Sequence, residues 1–240
     1  MTRGAAGALV AVALVAVALA AGDAGADRHA GADRPAGADR HAGADRDDAD
    51  AARVDWAAGR VTAGGTGIAD RHAPSPAVAL GTSRRGAEQA AKQRITARLA
   101  TLPLAAGGTL ADKLADPAIH ARITAAVEAA IALEAEPETD GSWHVTLGVP
   151  IEALRQAIAG PRALAGGDRG PPVVIVDGVA GKPAIGWTVA GAAVASVWVK
   201  DVPAWAKAAP RVHATSAKAG AIVAEGAPGG AATLYVIVAK

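Results

Sequence analysis

The sequence predicts an α+β fold, with two long alanine-rich helices and a short one packed on a largely antiparallel sheet. Three observations carry this. Apolar residues recur at helical spacing through residues 77–102 and again from Leu110 onward. Trp143, Val145, Leu147 and Val149 alternate with His144, Thr146 and Gly148, which is the period of a half-buried strand. Beyond Pro172 the chain turns to short β-branched runs separated by glycine and proline.

Composition sets the scale of what can fold. The chain has 240 residues, a formal net charge of +1 and 51% hydrophobic residues, but 68 of these are alanine. About 54 larger apolar side chains remain, enough for a modest core when each contributes roughly 1.5–3 kcal/mol on full burial. There is no cysteine, which excludes disulfide staples, thiolate metal sites, cysteine nucleophiles and lipid attachment at a lipobox. Near-neutral charge argues against a dedicated nucleic-acid binder, whose affinity rests on neutralising many phosphates.

The N-terminus carries one basic residue, Arg3, followed by an apolar run over residues 8–20 that ends Ala18-Leu19-Ala20. A basic start, an apolar stretch of this size and a small-residue site together read as a signal peptide over residues 1–20; the other reading is an uncleaved anchor. Residues 21–53 hold a six-residue repeat, GADRHA-GADRPA-GADRHA-GADR over residues 25–46, with nothing large and apolar to bury. Such a segment cannot offset its ordering entropy and is expected to be a disordered linker. His29 and His41 with their neighbouring aspartates lack the fixed geometry a specific metal site needs, so no metal is assigned.

The folded region is expected as a β-α-α-β-α unit over 54–160 and a mainly β region over 161–240 packed on the same sheet. Val61 to Ile68 mixes β-branched residues with three glycines, which suggests a kinked or edge strand. The first helix, over 77–102, places Val78, Ala87, Ala91, Ile95 and Leu99 on one side and Arg84, Arg85, Glu88, Lys92, Arg94 and Arg98 on the other. The second runs from Leu110 through Leu114, Ile119, Ile123, Val127 and Ile131, with Asp116-Pro117 as a break or fresh start. Pro150 opens the short helix carrying Ile151, Leu154 and Ile158. Strands follow at 173–176, 187–189, 194–199, 221–223 and 234–238, with a helical turn or two within 203–209.

No motif specifies a reaction. Gly65-Thr66-Gly67 begins like a dinucleotide fingerprint, but Asp70 occupies the third glycine position and would repel a phosphate. Gly178 to Pro183 superficially resembles a phosphate loop, yet Val176 stands in place of the first glycine and Pro183 in place of the magnesium-binding hydroxyl. Glu136, Glu138 and Asp140 alternate like the start of a calcium loop whose twelfth position is Leu147 instead of glutamate. No serine sits in a nucleophile elbow and no histidine pair has zinc spacing. The most arguable catalytic cluster is Asp70, His72 and Ser83, which a polar loop opening a helix explains more simply. The sequence therefore nominates no catalytic residue, no cofactor and no metal ligand.

The segment GRVTAGGTGIADRH at residues 59–72, followed by SRRGAEQAA at 83–91, resembles a family of small exported bacterial proteins. This is the family of the membrane-associated lipoprotein commonly called lipoprotein twenty, to which the N-terminal part of flagellar assembly protein T is similar. A second stretch, PVVIVDGVAGKPA at 172–184, resembles a later segment of longer members. The resemblance implies an envelope protein of structural or interaction type, with no agreed catalytic residues. This chain departs from the pattern in lacking a lipobox cysteine, in reading Asp177-Gly178-Val179 where Asp-Ala-Arg is usual, and in lacking tyrosines near Val194.

The expected function is thus that of an exported, non-enzymatic cell-envelope protein, periplasmic or secreted. It would act on an envelope or flagellar-type protein partner and touch membrane only peripherally or through an uncleaved signal. Two alternatives are a periplasmic hydrolase using Asp70, His72 and Ser83, and a module binding anionic envelope polymer or membrane through the basic face of the first helix.

Overall fold

The computed structural model describes residues 50–160, 171–228 and 233–240, so the expected signal peptide, the repeat, His29 and His41 lie outside the described residues. The fold is α+β and contains two sheets. The first has the order β1-β2-β4-β3, built from β1 (Arg53–Asp55), β2 (Arg60–Gly67), β3 (Ile131–Pro137) and β4 (Trp143–Pro150), all antiparallel. One face is covered by α1 (Pro76–Ala100), which buries Ser83, Ala87, Ala91, Ile95 and Leu99 at a spacing of four. The helix starts where Ser75 accepts a hydrogen bond from the Val78 N–H and Pro76 takes a position whose missing N–H costs nothing.

β2 is not kinked, since it pairs without interruption with β4 from Arg60 to Gly67; on its other side β1 covers only Arg60 to Thr62, so its glycine-bearing half has a strand on one side alone. Its glycines serve close approach instead. A Cβ on Gly65 would collide with the Ala87 carbonyl and the Ala91 amide of α1, and one on Gly67 with the Ser83 carbonyl. The alanines and Ser83 of α1 therefore rest directly on bare strand backbone. On the opposite side Gly64 is pressed by Asp50, whose carboxylate is 3% exposed. Arg94 Nη1 reaches both Asp50 Oδ2 and the Gly64 carbonyl at 2.7 Å, and His144 Nδ1 stands 3.5 Å from Asp50 Oδ1. Asp50, placed in the linker by its sequence, is thus bonded to the folded body.

The second helix breaks at Pro117 as its sequence suggests, into α2 (Leu110–Leu114) and α3 (Pro117–Glu128). Asp116 caps α3 by accepting from the Ala118 and Ile119 amides. Ile131 does not continue this helix but opens β3. β3 is an outer strand, and its edge carries a bulge between Ala132 and Glu134, two glutamates and Pro137, features that discourage further strand pairing. α4 (Ile151–Ala159) follows β4 directly, and Arg122 Nε ties α3 to it through the Ala157 carbonyl at 2.6 Å.

The C-terminal strands do not join this sheet, contrary to the single, largely antiparallel sheet expected. They form a second one of order β7-β6-β10-β9-β5-β11-β8, comprising β5 (Val173–Val179), β6 (Thr188–Val189), β7 (Ala192–Ala193), β8 (Ala195–Val199), β9 (Arg211–Lys218), β10 (Ala221–Ala224) and β11 (Leu234–Ala239). Four of its pairings, β10 with β6, β9 with β5, β5 with β11 and β11 with the edge strand β8, are parallel. The physical reason lies in the side chains. Val174, Val176, Tyr235 and Ile237 enter one core while Ile175 and Val236 enter another with Val199 and Ala206. Strands buried on both faces read as continuous apolar runs, as parallel sheets require.

The two sheets meet along a seam. The Trp198 N–H of β8 donates to the Trp56 carbonyl at 3.0 Å, so the β1–β2 turn covers the edge of the second sheet. The loop after α1 reaches across as well. Ala105 N–H donates to the Ile185 carbonyl and Ile185 N–H to the Pro103 carbonyl, both at 2.9 Å. Gly220, at φ 81°, lies against the Ala105–Ala106 backbone, where a side chain would have no room.

Candidate functional site

Asp70, His72 and Ser83 come from the loop after β2 and the second turn of α1. Asp70 Oδ1 accepts from the His72 backbone N–H at 2.8 Å, an Asx turn that shapes the loop. Ser83 is 1% exposed, and its Oγ donates to the Gly67 carbonyl at 2.5 Å. That hydroxyl thus fastens helix to strand, facing the sheet instead of a cleft. A nucleophile needs its base within hydrogen-bond reach and access to substrate, and Ser83 as placed has neither an imidazole on its Oγ nor an open side.

The other motifs resolve into local structure. Glu136 belongs to β3 opposite His144, and Asp140 Oδ1 accepts from the Ser142 amide at 2.9 Å and its hydroxyl at 2.6 Å, building the β3–β4 turn. Gly141, at φ 84°, completes that turn. Gly178 lies within β5, under the His213 ring, and Gly181 lies in the bend after the strand, against the Trp187 and Trp198 indoles. Among the described residues no three or more His, Asp and Glu side chains gather where a metal ion would sit.

The basic face of α1 is largely engaged. Arg84 Nε pairs with Glu88 at 3.0 Å while its guanidinium lies 5.3 Å from the Trp143 ring centroid. Lys92 pairs with Glu128 of α3 at 2.6 Å, Arg94 holds Asp50, and Arg98 Nη1 donates to the Thr101 hydroxyl at 2.7 Å. An anionic polymer would have to compete with each of these contacts.

The polar cluster that stands out lies at the seam, and the sequence did not nominate it. Arg155 of α4 is 4% exposed; its Nε and Nη2 bind Glu152 at 2.7 and 2.5 Å, while its buried Nη1 has no protein partner among the described residues. Trp198 Nε1, from β8, is likewise buried and without a partner. Arg155, Glu152, Ser196 and Trp198 line one small cavity between α4 and the second sheet. Trp198 is held from behind by Trp187, with ring centroids 5.5 Å apart. On the other side of Ala184 an open groove of about 430 Å³ runs past Leu104, Lys182, Pro183 and Trp187. An arginine three residues after a glutamate looks like an ordinary exposed helical pair in sequence; only the docking of β8 buries it.

No protein-family model matches the chain, and no curated protein matches it. Among the described residues no helix is long and apolar enough to cross a membrane.

Proposed function

We propose that this is an exported cell-envelope protein, periplasmic or secreted, that works by surface contact with an envelope or flagellar-type protein partner and not by catalysis. The observation that carries this reading is the engagement of Ser83 with the Gly67 carbonyl, which gives the one arguable nucleophile a packing role. The signal-like start and the resemblance at residues 59–72 and 172–184 support it further. Apolar side chains left at the surface, Ile68 at 85% exposure and Trp205 at 51%, are the kind of group a protein partner covers.

Fusing a reporter enzyme that needs disulfides to fold after Lys240 tests the compartment in living cells. The fusion is expected to be active, because disulfides persist only outside the reducing cytosol. An inactive fusion, with a cytosolic reporter active at the same position, would contradict the proposal.

A further inference from the structure

We infer that the seam between the two sheets contains a binding site for one water molecule, held between Arg155, Trp198, Glu152 and Ser196. Arg155 and Trp198 both line this cavity, and each carries a buried N–H donor, Nη1 and Nε1, that meets no acceptor among the described residues. Leaving such donors unbonded costs roughly 1–3 kcal/mol each, so native proteins rarely keep them that way. The cavity offers about 10 Å³ to the centre of a water-sized sphere, which is the room a single water takes.

The chemistry of the lining selects water over an ion. Water accepts two hydrogen bonds and donates two. Among the residues that line the cavity, Arg155 and Trp198 each bring an unbonded donor, and Glu152 and Ser196 carry oxygens able to accept. A halide would be welcomed by the donors but would face the Glu152 carboxylate, while a cation would face the Arg155 guanidinium. The Glu152–Arg155 pair brings no net charge for an ion to balance. The bound water would join α4, on the first sheet, to β8, on the second, adding to the direct bond between Trp198 and Trp56. This inference is independent of where the protein resides.

The test is proton NMR on the full chain, measuring cross-relaxation between the Trp198 indole Hε1 and water. A cross-peak with the sign of a long-lived bound water is expected, and Trp198→Phe, which keeps an aromatic side chain and removes the indole donor, should abolish it while the other indole resonances stay in place. Absence of that cross-peak in the unsubstituted protein would overturn the inference. So would an anomalous bromide peak between Arg155 and Trp198 in crystals soaked in bromide, since the site would then select an anion.

Discussion

Gly65→Ala is expected to cost about 3 kcal/mol or more of folding stability, although it adds only one methyl group. The added Cβ meets the Ala87 carbonyl and the Ala91 amide of α1, which are backbone atoms that cannot rotate away. Relief requires the whole helix to lift from β2, weakening the burial of Ile95 and Leu99 and stretching the bond from Ser83 to Gly67. Gly81→Ala supplies the contrast within the same helix. Its Cβ meets nothing, so helix propensity should raise stability by about 0.5–1 kcal/mol. Urea unfolding of both variants checks the pair. If Gly65→Ala unfolded at the same midpoint as the unsubstituted protein, close helix-on-strand packing would not be what these glycines provide.

Trp198→Ala is expected to be the next most damaging, at about 3–5 kcal/mol. The indole is 3% exposed, packs at a 50° tilt against Trp187 and fills the space a side chain at Gly181 would take, so its loss opens a cavity at the seam. The backbone bond from residue 198 to Trp56 survives the substitution, which separates packing from hydrogen bonding as the origin of the loss. Denaturant unfolding followed by far-UV circular dichroism measures it; a change below about 1 kcal/mol would mean that the seam is not packed as described.

Much of the first layer is legible in the sequence because its signals are local. The spacing of Ala87, Ala91, Ile95 and Leu99 marks the face of α1, Asp116-Pro117 marks the start of α3, and Pro150 marks that of α4. β3 is hidden because Ile131 to Pro137 is alanine- and glutamate-rich and extends the helical spacing before it, whereas pairing with β4 decides its conformation. β9 is hidden likewise: apart from Val212, Arg211 to Lys218 holds only small and polar residues, and the neighbours that make it a strand are β5 and β10. The role of the glycines in β2 depends on a helix some twenty residues away, so composition alone suggested a weak strand where the structure has a tightly covered one. The Arg155 cluster is invisible for the same reason. Glu152 and Arg155 are neighbours in sequence, but Ser196 and Trp198 arrive from the second sheet.

The proposal of an exported envelope protein stands or falls most directly on the mass of the chain recovered from its native host after fractionation. An N-terminus at Ala21 in the periplasmic, envelope or secreted fraction is the predicted result, because on this proposal Ala18-Leu19-Ala20 is the small-residue cleavage site. A chain that still begins at Met1 and is found in the soluble cytoplasmic fraction would contradict it.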